Sequence, residues 1–257
     1  MIREASVAPE KIMSYESDIL RDWYLLFHYG SPEEILAGVG FDPAGLPARC
    51  LEFPVTTVEA AEVSGTIDRA LDLGCAVGRS SLELSRVADE VIGIDFSASF
   101  IDVADQVRKG DPVTYSRYGE MHQPESLTVR LPEGVQPDRV SFEVGDAMSL
   151  REDLGRFDFV HAANLLCRLP EPQRFFDRLP DLVRPGGKLV MATPATWLPE
   201  YTPVENQPAG ATLDHLTEAL GDAFTLVSVK EIPFLIREHQ RKLQLSTSQT
   251  SLWIRKS

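Results

Sequence analysis

The stretch Asp72-Leu73-Gly74-Cys75-Ala76-Val77-Gly78 decides the fold. It closes a short apolar run, Ala70-Leu71-Asp72-Leu73, that reads as a strand, and it opens onto residues 78–88, where Leu82, Leu84 and Val87 recur at helical spacing. Two glycines in a strand-to-helix turn let backbone approach a ligand where a Cβ would collide. The first N–H groups of the helix that follows have no partner inside it, so they meet polar ligand atoms. Downstream the alternation repeats. Residues 90–95 read as a second strand, and a helix with Ser97 as N-cap carries Phe100, Ile101, Ala104 and Val107. Further strands are expected over 139–146, 157–164 and 188–194, the last after the turn Pro185-Gly186-Gly187. A helix over 171–183 lies between the last two, and Pro180 is expected to kink or end it. A helix over 213–221 and strands over 224–232 and 249–256 finish the chain. This order predicts an α/β fold with a doubly wound, mostly parallel seven-stranded sheet and antiparallel edge strands.

Two regions fall outside that alternation. Residues 1–63 read as an N-terminal helical cap or lid, with residues 64–257 as the ligand-binding domain and 110–139 as a polar insertion within it. The cap holds an aromatic helix opened by Ser14 and closed by Gly30 in the C′ position, with Leu20, Trp23, Phe27 and Tyr24 as its buried face. A second helix has Ser31 as N-cap, Pro32 at N1 and Glu34 at N3.

Composition excludes several classes. A chain of 257 residues, 43% of them hydrophobic, buries a substantial core. Its 25 basic and 39 acidic residues leave a net charge of −14, which disfavours a nucleic-acid partner. No apolar run reaches the ~18 residues a membrane span needs, and the charged first residues lack the core of a secretory signal. Cys50, Cys75 and Cys167 have no CxxC spacing, which points to a reducing cytoplasm and away from disulfides or zinc. No metal ligand set is expected: His28, His122, His161, His215 and His239 form no H-x3-H-x-E cluster.

A dinucleotide loop requires G-x-G-x-x-G, which this loop lacks. The loop instead resembles motif I of class I S-adenosylmethionine-dependent methyltransferases, with Ala76 in the middle glycine position. The resemblance implies S-adenosyl-L-methionine as cofactor and S-adenosyl-L-homocysteine as product, held by Asp72, Gly74, Cys75, Ala76 and Gly78. It implies that Asp95, 21 residues after Gly74 and followed by Phe96, accepts the ribose hydroxyls. Asp146 and Ala147, after the third strand, take the place of the acid facing the adenine amino group, and Arg184-Pro185-Gly186-Gly187-Lys188 precedes strand five. Asp95 also reads as a strand-end cap, and Asp146 as a helix N-cap.

Three further stretches narrow the resemblance: Tyr15-Glu16-Ser17-Asp18 with Leu26-Phe27-His28-Tyr29-Gly30, then residues 162–170, then Pro233-Phe234-Leu235-Ile236-Arg237-Glu238-His239. With the cofactor motifs they resemble the 4-mercaptohistidine (5-thiohistidine) N1-methyltransferases of ovothiol biosynthesis, from about Tyr15 to Lys256. The resemblance implies a small-molecule substrate, 5-thiohistidine, supplied by a separate iron-dependent sulfoxide synthase.

Methyl transfer from a sulfonium is an in-line displacement in which orientation contributes roughly 7–11 kcal/mol. An imidazole of pKa about 6.5 already offers a nitrogen lone pair near neutral pH, so choice of nitrogen matters more than a base. Asn164, just after strand four, is expected to face the methyl region or to cap the short helix after it. Arg168, one turn on, suits a substrate carboxylate and equally a solvated salt bridge. Tyr15, His28 and Tyr29 carry polar tips at the ends of the aromatic helix and are expected substrate contacts, with His28 read as a proton acceptor or equally as a satisfied core histidine. The 233–239 segment is expected to follow strand six, with Arg237 and His239 on one side and Phe234 stacking on an imidazole. Trp197, Tyr201 and Asn206 read as pocket wall or as surface.

Overall fold

A computed structural model describes residues 15–120 and 124–257; Ser14, His122 and the start of the chain lie outside the described residues. Helix α1 (Asp18–Tyr29) is capped by Ser17, whose hydroxyl accepts the Leu20 N–H. Gly30 ends it at φ −63°, so the expected left-handed C′ glycine is not formed. Close approach is what requires glycine there, because a Cβ would lie 2.6 Å from the Leu26 carbonyl oxygen. Helix α2 (Pro32–Leu36) has the expected capping box between Ser31 and Glu34. Helix α3 (Phe53–Glu59) completes the cap.

The sheet domain runs β1 (Ile67–Leu73), α4 (Arg79–Leu84), β2 (Ala88–Asp95) and α5 (Ala98–Lys109). The insertion folds as an antiparallel hairpin, β3 (Thr114–Tyr118) with β4 (Pro124–Thr128). Then come β5 (Val140–Val144), β6 (Phe157–Ala163), α6 (Pro172–Leu182), β7 (Val183–Thr193), α7 (Thr212–Leu220), β8 (Phe224–His239) and β9 (Lys242–Arg255). The seven-stranded order is β5-β2-β1-β6-β7-β9-β8, with the first five strands parallel and β9 antiparallel to both of its neighbours. The expected doubly wound sheet is therefore formed. The chain winds outward from β1 to β2 and β5 and then crosses back to β6. The crevice where ligands bind in such sheets thus opens at the carboxyl ends of β1 and β6.

Strand periodicity sorts the core into two layers. Ala70 of β1 packs with Leu82, Leu84, Phe100 and Val107 on one face, and Leu71 and Leu73 pack with Phe175, Leu179 and Trp253 on the other. Leu25, Leu26, Tyr29 and Ile35 of the cap belong to the first layer, so cap and sheet share one core. The buried face of α1 runs through Asp22, Leu25, Leu26, Phe27 and Tyr29 rather than through Leu20 and Trp23. The hairpin accounts for part of this shift, since the Tyr118 hydroxyl donates to Asp22.

Three expected boundaries move. Pro180 sits in the last turn of α6, which ends two residues later. Pro185-Gly186-Gly187 lies inside β7, where the pairing shifts register from Phe157/Val183 to Phe159/Lys188 and Gly186 takes φ +77°. Strand β8 absorbs residues 233–239 instead of ending before them, because β9 begins at Lys242 and pairs with its whole length.

Candidate active site

A cavity of about 380 Å³ lies at the carboxyl ends of β1, β2 and β6 under the cap, within the ~300–1,000 Å³ range of small-molecule sites. Its floor is the glycine loop. The backbone N–H groups of Gly74 and Cys75 donate to the Ile94 carbonyl at 2.8 and 3.1 Å. That of Ala76 donates to Asp95 Oδ2 at 2.9 Å. Gly74 and Gly78 take φ +72° and +87°, and a Cβ on Gly78 would stand 2.6 Å from Phe142 Cζ. Asp95 also accepts the Ser97 N–H through Oδ1 at 2.9 Å. Burial pushes its carboxyl above the ordinary range, against the pull of these two N–H donors. Asp146 accepts the Met148 N–H at 2.8 Å, forming a tight turn and no helix cap, and Phe96 stands 79% exposed at the cavity lip.

Asp72 lies beneath the loop. Its Oδ2 accepts the Ser81 hydroxyl at 2.6 Å, and its Oδ1 sits 2.8 Å from His161 Nδ1. The other nitrogen of His161 reaches Thr57 Oγ1 of α3 at 3.1 Å. This buried chain joins β1, β6 and the cap, and both Asp72 and His161 line the cavity. Neither the site role of His161 nor that of Thr57 was among the expectations. The available signal was a histidine inside an otherwise apolar parallel strand, where a polar group requires a buried partner.

Asn164 takes φ +54°, and its Oδ1 accepts the Ser248 hydroxyl at 2.6 Å, which leaves the amide NH₂ as a donor. His28 lies between Tyr24 and Phe27, with ring centroids 5.9 and 5.3 Å away. Burial, aided by the Arg79 guanidinium, lowers its pKa to about 3, so the ring is neutral. Its Nδ1 is sealed without a partner. A ring lowered this far is a poor proton acceptor, which corrects its expected role as one. Arg168 donates through Nη1 to the Cys167 and Thr196 carbonyls at 3.1 and 3.0 Å and lies 4.7 Å over the Tyr201 ring. The Tyr15 hydroxyl bonds to it and is kept protonated by burial.

Tyr15, His28, Asn164 and Arg168 thus line one cavity with Gly74, Cys75, Ala76, Asp95, Phe96, Asp146 and Ala147. Gly78, packed against Phe142 and Ala104 at the start of α4, does not line the cavity, and four candidate side chains point elsewhere. The Tyr29 hydroxyl is buried and donates to the Val77 carbonyl at 2.8 Å. Phe234 packs against Phe53 and Phe27 at 4.8 and 6.0 Å, and its neighbour Ile236 reaches the cavity instead. Arg237, 3% exposed, donates to the carbonyls of Ile35, Ala37 and Tyr118. His239 sits at the β8–β9 hairpin end, where Nδ1 accepts the Arg241 N–H. Strand β8 carries Arg237 and His239 on toward that hairpin end, away from the crevice. Of the proline-rich loop only Tyr201 lines the cavity; Trp197 donates to Thr212 and Asn206 to the Pro170 carbonyl.

Fold and site together define a doubly wound domain whose glycine loop and strand-end carboxylates suit a nucleoside-bearing cofactor. A family described as a methyltransferase domain matches residues 46–237, and the chain belongs to it. It is a methyltransferase of the S-adenosylmethionine-dependent class, and the residues present fit that cofactor: paired strand-end carboxylates, a positive-φ loop and an exposed aromatic lip. The chain is 30% identical over 123 residues to the ubiquinone biosynthesis O-methyltransferase of Coxiella burnetii, covering 48% of this chain and 42% of that protein. It is 29% identical over 136 residues to the demethylmenaquinone methyltransferase of Clavibacter sepedonicus, covering 53% and 44%. The chain thus spans less than half the length of these curated relatives. The N-methyltransferase NodS from Bradyrhizobium japonicum WM9, in complex with S-adenosyl-L-homocysteine, aligns over 92% of this chain and 99% of its own at TM-score 0.55 and 17% identity. The [4+2]-cyclase SpnF aligns over 85% and 75% at TM-score 0.53 and 18% identity. A methyltransferase and a cyclase on one architecture mean that this likeness speaks for fold alone, and the acceptor must be argued from the site.

Proposed function

We propose that the chain transfers the methyl group of S-adenosylmethionine to an imidazole nitrogen of 5-thiohistidine, giving ovothiol. The cofactor supplies an electrophilic methyl on a sulfonium. The observation that carries the reading is that His28 lines the cavity between Tyr24 and Phe27, where burial lowers its pKa to about 3 and leaves it a poor base. An imidazole acceptor needs no base, since its pKa of about 6.5 leaves a lone pair free. A phenol of pKa about 10 would have to pass its proton to a group roughly 7 units more acidic, a gap of about 10 kcal/mol. The resemblance of residues 15–256 to the thiohistidine methyltransferases supports the same acceptor. Tyr24 and Phe27 give the cavity an aromatic wall for a planar ring, the Asn164 amide supplies a donor for the competing thiolate, and the cap excludes water. The positive charge that arrives with the methyl is balanced by that thiolate, and the remaining ring proton leaves to solvent.

The substrate then comes from a separate iron-dependent sulfoxide synthase. Cytoplasmic placement suits the three cysteines, all unpaired and buried. Among the described residues no helix is long and apolar enough to cross a membrane.

The relatives' names favour a second reading, O-methylation of a quinone-type ring. That reaction would need a base for the ring hydroxyl, and both nitrogens of His161, the other histidine lining the cavity, are engaged by Asp72 and Thr57. Methyl transfer to 5-thiohistidine, histidine, histamine, free thiols and a catechol, followed by mass spectrometry, separates the two. Highest kcat/KM on 5-thiohistidine is expected; transfer to the catechol alone overturns the reading.

A further inference from the structure

Arg168 is a half-buried cation in the cavity wall with no carboxylate partner among the described residues. Arginine in such a place is ordinarily paired, because partial desolvation of a charge is costly. The three carboxylates of the cavity are already engaged: Asp72 by His161 and Ser81, Asp95 by Ala76 and Ser97, Asp146 by Met148. They stand at the ends of β1, β2 and β5, while Arg168 follows β6, so acidic and basic walls occupy different sides of the crevice. Arg168 is also held firmly. Nη1 is spent on two backbone carbonyls, and the guanidinium lies over the Tyr201 ring, a cation–π contact that offsets part of its desolvation. The Tyr15 hydroxyl bonds the guanidinium, and among the described residues Nε and Nη2 donate to no carbonyl or carboxylate. Two parallel N–H groups on a rigid, oriented plane match a carboxylate.

We propose that the Nε–Nη2 edge of Arg168, with the Tyr15 hydroxyl beside it, is an anion subsite that holds the carboxylate of the acceptor. The substrate class is then a ring-bearing carboxylic acid of amino-acid type, and a neutral ring lacks the anchor that sets which ring atom faces the methyl donor. The subsite deepens the proposed reaction and rests on the acceptor lying in this cavity. The cofactor has a carboxylate of its own, a second source of the same chemistry.

The test uses protein saturated with S-adenosylhomocysteine, so that cofactor and acceptor effects separate. Imidazolepropionate and its primary amide are titrated calorimetrically into wild type, Arg168→Met and Arg168→Lys. A hydrogen-bonded charge predicts that wild type prefers the acid by about 10- to 100-fold. Arg168→Met abolishes the preference, Arg168→Lys keeps only part of it, and S-adenosylhomocysteine affinity stays within about 2-fold of wild type. Thermal melts and that cofactor affinity certify that each variant is folded. No acid preference in wild type, or a preference that survives in Arg168→Met, overturns the subsite. Loss of cofactor affinity with acceptor preference intact assigns the guanidinium to the cofactor carboxylate and also overturns it. An Arg168-dependent acid preference without methylation of 5-thiohistidine keeps the subsite and removes the proposed reaction; methylation without acid preference does the reverse.

Discussion

The Tyr29 hydroxyl donates to the Val77 carbonyl at 2.8 Å, tying the last residue of α1 to the middle of the glycine loop. The bond is buried, so Tyr29→Phe leaves a carbonyl without a donor and costs about 1–3 kcal/mol of stability. Because that carbonyl belongs to the loop that receives the cofactor, S-adenosylhomocysteine affinity falls with it. Thermal melts and calorimetry on the variant check both effects. An unchanged melting temperature would mean that the cap does not brace the loop.

Asp95 links Ala76 to Ser97 through its two oxygens. Asp95→Ala removes both links and the ribose acceptor we propose, and S-adenosylhomocysteine binding should weaken by about 1–3 kcal/mol. Burial raises its folded pKa above the ordinary carboxylate value, so its own contribution to apo stability is present below that value and lost as pH rises through the raised one. Hydroxyl donors prefer the ionised carboxylate. Cofactor affinity in wild type should therefore decline on the acid side, and the decline should be absent in Asp95→Asn. Parallel calorimetric pH profiles would refute the assignment.

His28 carries the opposite sign. Its folded pKa, about 3, lies below the ordinary 6.5, so the stability it contributes is present above pH 6.5 and drains away as pH falls toward 3. His28→Gln should flatten the melting temperature across that window. Turnover in wild type should show no ionisation of this ring near pH 6.5. A histidine C–H resonance of His28 titrating near 6.5 would contradict a sealed, neutral ring.

Sequence reading reaches furthest where the chain alternates locally. Gly74, Asp95 and Asn164 fall at strand ends, and strand ends in a parallel sheet converge on one crevice whatever the rest of the chain does. His161 and Thr57 were not legible in that way. They are 104 residues apart, and only the packing of α3 on β6 makes them partners. Residues 233–239 misled for a related reason. A stretch ending in Arg237, Glu238 and His239 after an apparent strand end resembles a segment reaching into a pocket, but β9 begins early enough to keep the strand going. Tyr29 and Phe234 carry side chains equally suited to a pocket wall and to a core, and the shared core of cap and sheet decides for the core.

Arg237 gives the sharpest contrast between a binding role and a fastening one. Its guanidinium donates to the carbonyls of Ile35 and Ala37 at 2.7 and 2.6 Å and of Tyr118 at 3.2 Å, which binds α2 and the β3–β4 hairpin to β8. Arg237→Ala leaves three backbone acceptors without their donor, at about 1–3 kcal/mol for each one that stays dry. Arg237→Lys keeps the charge on a single nitrogen and cannot span two separate segments, so it recovers only part of the loss. Both variants should melt well below wild type, while KM for the acceptor in the surviving folded fraction stays close to wild type. A large rise in KM with an unchanged melting temperature would return Arg237 to the substrate-binding role that its place in the sequence suggests.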